Sequence, residues 1–96
     1  ENIKYYVEEN LKKNLIIFSI KEKVILKKNF FSHSDEVVFR SFTKVLKIIG
    51  KKYYPVRGKK LDKILQSIKT KSSFKLTLGG CIIKKVNDTI IVSKET

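Results

Sequence analysis

The segment from Ser34 to Gly50 constrains the fold of this chain more than any other. At 100° per residue, Val38, Phe42, Val45, Leu46 and Ile49 fall within one stripe, and Arg40, Lys44, Lys47 and Lys51 fall on the opposite face. A helix divided in that way must lay one side on an apolar layer and keep the other in water or against a polyanion. Ser34 or Ser32 is placed to cap its first turn, and Asp35-Glu36 complement the positive end of its dipole. Gly50 stands where the helix is expected to stop.

The rest of the chain supplies the layer. Residues 1–14 repeat Ile3, Val7 and Leu11 at helical spacing, with Tyr6 beside them and Asn2 as a plausible N-cap. Leu15 to Phe18 and Val24 to Leu26 are short β-prone runs with Lys21-Glu22 between them, which reads as a hairpin. Tyr53-Tyr54-Pro55 is an extended connector, because proline biases the residue before it away from helix. A further helix spans about Gly58 to Thr70, with Leu61, Ile64, Leu65 and Ile68 on one stripe and Lys59, Lys63 and Gln66 on the far side. Ser72-Ser73 marks a loop, and three strands follow: Phe74 to Leu78, Cys81 to Val86 and Thr89 to Lys94. Gly79-Gly80 and Asn87-Asp88 make the turns between them. The order α-ββ-αα-βββ predicts an α+β domain with three helices packed on one face of a small antiparallel sheet. Residues 1–33 form a connecting helix and hairpin, and 34–96 the basic domain proper, in one compact unit overall.

A chain of 96 residues is one domain at most. It buries only about 60–65% of its unfolded surface, so the core is modest. No run of 18 apolar residues predicts a membrane-spanning helix, and no signal peptide is visible. Cys81 has no second cysteine to pair with, which points to a reducing, cytoplasmic setting. Methionine is absent throughout, including at the start, which is expected of a part of a longer protein.

The net charge of +13 favours a nucleic acid or an anionic membrane face as partner. Twenty of the 22 cations are lysine and there is no alanine, a composition that an AT-rich genome also produces. The positions of the cations therefore carry more than their number. The helix stripe of Arg40, Lys44, Lys47 and Lys51 continues through Lys52 into Arg57, Lys59, Lys60 and Lys63. Two basic helix faces joined by a basic, tyrosine-containing connector suit a phosphate backbone. Lys84 and Lys85 are outlying candidates, and Tyr53 and Tyr54 are candidates for base stacking. Where lysine is the default, Arg40 and Arg57 imply a task for a planar fork. For Arg57, before Gly58, that task is either a phosphate or a structural link to a carbonyl.

Catalytic signatures are missing from the sequence. His33 reads as an exposed residue ahead of a helix, with no fixed carboxylate or cysteine partner. Cys81 reads as a small buried residue, since activation of a thiol needs a nearby base or helix N-terminus. Gly79-Gly80 lacks the spacing of a phosphate loop and reads as a turn or bulge needing positive φ. No catalytic residue, cofactor site or metal-ligand cluster is expected in this segment.

Several blocks, taken in order, resemble a known family. They are Glu36-Val37-Val38-Phe39-Arg40, the helix ending Ile48-Ile49-Gly50, Tyr54-Pro55-Val56-Arg57, Leu61 with Leu65, Thr77-Leu78-Gly79-Gly80-Cys81, and Val92-Ser93-Lys94-Glu95. Over residues 34–96 this is similar to the region that follows the catalytic domain in bacterial tRNA(Ile)-lysidine synthetases, especially the short alphaproteobacterial type. Three positions depart from the family pattern: Lys51 replaces a glycine, Val56 a proline and Lys94 an arginine. The resemblance implies a parent ligase that uses ATP to adenylate the wobble cytidine of the CAU-anticodon isoleucine tRNA, after which lysine displaces AMP. It implies that the ATP chemistry belongs to an N-terminal catalytic domain with an S-G-G-x-D-S motif, absent from these residues. It also implies that this segment grips tRNA, with Arg40, Lys44, Lys47, Lys51, Arg57, Lys59, Lys60 and Lys63 as phosphate contacts. A generic RNA- or DNA-binding module, and a docking domain whose lysines are only compositional, are the alternatives.

Overall fold

The computed structural model describes residues 2–17, 23–50, 58–78 and 80–95. The elements run α1 (Ile3–Asn14), β1 (Leu15–Ile17), β2 (Lys23–Leu26), a 3₁₀ turn (Lys28–Phe31), α2 (Asp35–Gly50), α3 (Gly58–Thr70), β3 (Ser73–Leu78), β4 (Cys81–Val86) and β5 (Thr89–Lys94). The expected order of three helices and five strands is the order found. The 3₁₀ turn is additional. Ser73 belongs to β3 and not to the preceding loop. Phe18, Lys21-Glu22 and the Tyr53-Tyr54-Pro55 connector lie outside the described residues.

All five strands form one antiparallel sheet in the order β1-β2-β5-β4-β3. The last strand in sequence is therefore the middle one in space. It joins the early hairpin to the late one, with Leu26 opposite Ile90 on one side and Ile83 opposite Val92 on the other. Two turns use backbone conformations that few residues tolerate. Gly80 has φ 80, as expected of a glycine ahead of β4, and Asn87 has φ 58, where an asparagine costs less than most side chains.

Alternation along the strands decides which face is covered. Val24 and Leu26 on β2, Ile90 and Val92 on β5, and Cys81 and Ile83 on β4 all point to the same side and are buried. The stripe of α2 closes on them: Phe42, Val45, Leu46 and Ile49 are buried, as are Leu61, Ile64 and Ile68 of α3. Each such aliphatic or aromatic side chain contributes about 1.5–3 kcal/mol by leaving water. Ser34 is the cap of α2. Its Oγ accepts from the Val37 backbone N–H at 3.4 Å, and its carbonyl accepts from Val38.

The N-terminal helix is held by polar groups that its apolar repeat did not announce. Asn10 is fully buried. Its Nδ2 donates to the Phe30 carbonyl at 3.0 Å and to Ser41 Oγ at 3.2 Å, while its Oδ1 accepts from Asn14 Nδ2 at 2.9 Å. This satisfied set ties α1 to the 3₁₀ turn and to α2. It places α1 and the 3₁₀ turn on the same core as α2. The 3₁₀ turn exists because Phe30 fills the core at one end while Phe31 leans on Phe42, ring centroids 6.4 Å apart.

Two readings of α1 are corrected. Asn2 stands at the N-cap position but in a helical conformation (φ −82, ψ −7), so its side chain makes no cap bond and only its carbonyl accepts, from Tyr6. Tyr6 does not join the apolar stripe. It is 47% exposed and meets Tyr5 edge to face, centroids 5.3 Å apart.

Candidate nucleic-acid interface

Helices α2 and α3 lie side by side and antiparallel. Lys69, near the end of α3, reaches Asp35 in the first turn of α2 at 3.4 Å. Between the helices runs a groove of about 200 Å³, lined by Phe31, Val38 and Phe39 on one side and Asp62, Leu65 and Gln66 on the other. Because both stripes face the sheet, both polar sides face outward together. Periodicity that was legible residue by residue thus becomes one surface.

On that surface Arg40, Lys44 and Lys47 of α2 are exposed, and so are Lys59, Lys60 and Lys63 of α3. Neighbours three and four residues apart on a helix stand about 5–6 Å apart, so each helix offers a ladder of cations. Arg40 is not a bare cation: its Nε donates to Glu36 one turn earlier, with both side chains about half exposed. An exposed pair of this kind is worth ~0.3–0.5 kcal/mol and leaves the rest of the guanidinium fork open. Lys51 and Arg57 lie outside the described residues.

The two outlying lysines part company, because neighbours along a strand point to opposite faces. Lys84 is exposed on the side of the sheet away from the helices. Lys85 turns toward them and closes the end of α3. Its Nζ donates to the Ile68 carbonyl at 2.5 Å and to the Lys71 carbonyl at 2.8 Å. A cation on the last carbonyls of a helix complements the negative end of the dipole. Lys85 is thus a structural residue, and no local sequence signal distinguishes it from its neighbour.

Cys81 has the opposite of an activated environment. It is fully buried, and its Sγ–H donates to the Leu46 carbonyl at 3.5 Å. Burial pushes the thiol up from 9.0 to about 11, against a smaller lowering by the Gly50 backbone N–H, with Glu95 adding to the rise. The thiol stays protonated at neutral pH and acts as a small core side chain. His33 is half-buried in the bend before α2 and is less open than expected. No group of three or more potential metal ligands occurs among the described residues, and no described helix is long and apolar enough to cross a membrane.

Tyr6, which periodicity set beside the apolar repeat, pairs instead with Tyr5 on the surface. Two adjacent tyrosines cannot both enter a stripe only one residue wide at that turn, and that was the available signal. Comparison with known proteins brings no further identification: no family model, no curated protein and no solved structure matches this chain.

Proposed function

We propose that this chain is an RNA-gripping domain, and that the RNA is tRNA. The carrying observation is the exposure of two basic helix faces that pack on the same side of the sheet, Arg40, Lys44 and Lys47 on α2 with Lys59, Lys60 and Lys63 on α3. Lys51 and Arg57 are counted with them on sequence alone. Such a surface neutralises backbone phosphates and fixes register without reading bases, which phosphate contacts do in general.

The narrower reading, a tRNA-gripping part of a tRNA(Ile)-lysidine synthetase, rests on the ordered sequence blocks. One of them, Thr77 to Cys81, coincides with the turn between β3 and β4. Leu78 closes β3, Gly80 supplies the positive φ, and Cys81 starts β4 beneath the last turn of α2. In this reading the domain holds the tRNA while a separate catalytic domain performs the ATP- and lysine-dependent chemistry on the wobble cytidine. Holding matters because reaction at a base depends on sub-ångström placement.

The test is the affinity of the chain for an isoleucine tRNA with a CAU anticodon, a serine tRNA and a plain RNA duplex across a salt series. A slope of log K against log salt of about −3 to −6, with preference for the isoleucine tRNA, supports the full reading. The same slope without preference leaves a backbone clamp. Absence of binding at moderate salt rejects the RNA reading. Separately, an intact coding frame upstream of Glu1 that lacks S-G-G-x-D-S rejects the synthetase assignment.

A further inference from the structure

The sheet has two faces, and the helices cover one. Register defines the other. Ile16 stands opposite Ile25, Ile25 opposite Ile91, Ile91 opposite Lys84, and Lys84 opposite Lys75. Directly opposed residues share a face. A single row therefore crosses all five strands, three isoleucines followed by two lysines. Ile82 and Val86, on the same face of β4, flank Lys84 and add apolar surface to either side of the row. Ile16 and Val86 are each 43% exposed, and Ile25, Ile82 and Ile91 are half-buried. The other outward positions of the described strands are serine, threonine and lysine, and none is acidic.

Two things about this row are unfavourable in water. An antiparallel sheet covered on one face ordinarily turns polar residues to the other, yet the interior strands β2 and β5 present Ile25 and Ile91 there. Lys75 and Lys84 are like charges directly opposite one another, which destabilises a strand pair. One kind of partner relieves both, an apolar surface over the isoleucines that brings carboxylates over the lysines. From this we infer that the open face docks an acidic amphipathic helix of a protein. Four steps between strands cover about 19 Å, the length of about 13 helical residues.

Charge and chemistry separate this occupant from two others. A second copy meeting this face with its own would set the same lysines against each other and, among the described strand positions, bring no carboxylate. RNA would answer the lysines, but among the described residues no outward strand position offers an aromatic ring for a base to stack on, and the isoleucines would face sugar and phosphate. The inference does not depend on the RNA reading, because it concerns the opposite side of the molecule from α2 and α3.

The experiment titrates the chain with a labelled helical peptide of about 18 residues, leucine on one stripe and glutamate elsewhere. A matched leucine–lysine peptide and a single-stranded RNA serve as competitors, and backbone amide shifts locate the site. The expected result is binding at least about tenfold tighter for the glutamate peptide than for its lysine counterpart, with shifts at Ile16, Ile25, Ile91, Lys84 and Lys75. Ile25→Thr with Ile91→Thr should weaken it about tenfold or more, and Lys75→Glu with Lys84→Glu should reverse the preference. If the isoleucine variant fails to fold, the lysine variant decides. Shifts confined to α2 and α3, equal binding of the two peptides, self-association abolished by Ile25→Thr with Ile91→Thr, or RNA binding lost in Lys75→Glu with Lys84→Glu would each overturn the inference.

Discussion

The outer faces of α2 and α3 and the open face of the sheet both carry lysine, but in different company. On the helices, exposed cations stand beside polar neighbours and an occasional carboxylate, as Arg40 stands beside Glu36. That surface is comfortable in water as it is. On the sheet, Lys75 and Lys84 oppose each other at the end of a row of isoleucines, and no described strand position on that face is acidic. The difference teaches that a charge total of +13 describes two surfaces of different kinds. One is proposed to meet phosphates, and the other has features that a protein partner would satisfy. A third use of lysine, Lys85 on the end of α3, belongs to neither.

The comparison presumes one core holding both surfaces, so the largest effect should come from there. Phe42, fully buried between α2 and the sheet, should cost about 3–5 kcal/mol when replaced by alanine. Urea denaturation measures this, and both surfaces should be lost in one transition. A small cost would mean that the helices and the sheet are not one cooperative unit.

Alkaline pH probes the same junction. The buried Cys81 thiol ionises near 11 in the folded chain and near 9.0 when unfolded. A raised acid pKa means that the folded state disfavours the thiolate. Its contribution is therefore fully present below pH 9 and declines as pH rises toward about 11, by roughly 2–3 kcal/mol for a shift of this size. Cys81→Ala should lack that alkaline loss. An unchanged alkaline profile would show that the thiol does not sense the junction.

The helical surface comes next. Neutralising Arg40 and Arg57 together should weaken tRNA binding by about 1–3 kcal/mol, with stability changed by no more than ~0.5 kcal/mol. Replacing Lys44, Lys59 or Lys63 should lower the salt slope by about one each. Full affinity in folded variants would remove the helices from the RNA reading. The smallest effect is the most discriminating. Lys75→Thr should stabilise the free chain by about 0.2–1 kcal/mol by ending a like-charge pair, more at low salt than at high. No gain would erase the contrast between the two surfaces.

Sequence reading reached the parts of the fold that local periodicity encodes. The stripes of α2 and α3, the Ser34 cap and the left-handed glycine before β4 were all legible, because each depends on residues within a turn or two. What escaped depends on residues far apart in the chain. Asn10 finds its partners 20 and 31 positions later, at Phe30 and Ser41. Lys85 finds the end of α3 at Ile68, 17 positions earlier. The row of isoleucines is invisible in any one strand, since it comes into being only when the order β1-β2-β5-β4-β3 sets Ile16, Ile25 and Ile91 abreast. Of the candidate interface, the cations were legible as stripes. Their assembly into one surface followed from the antiparallel packing of α2 and α3.

The central position of β5 has a consequence for how the chain comes to be made. Leu26 must wait for Ile90, 64 positions later, before its strand has a neighbour on that side. A chain emerging from a ribosome at ~5–20 residues per second therefore carries the early hairpin for several seconds with a bare edge. When β5 arrives it pairs with β2 and β4 together, so closure of the sheet is a single late event. A stop anywhere within those last residues should leave two unconnected hairpins in place of a slightly shortened domain.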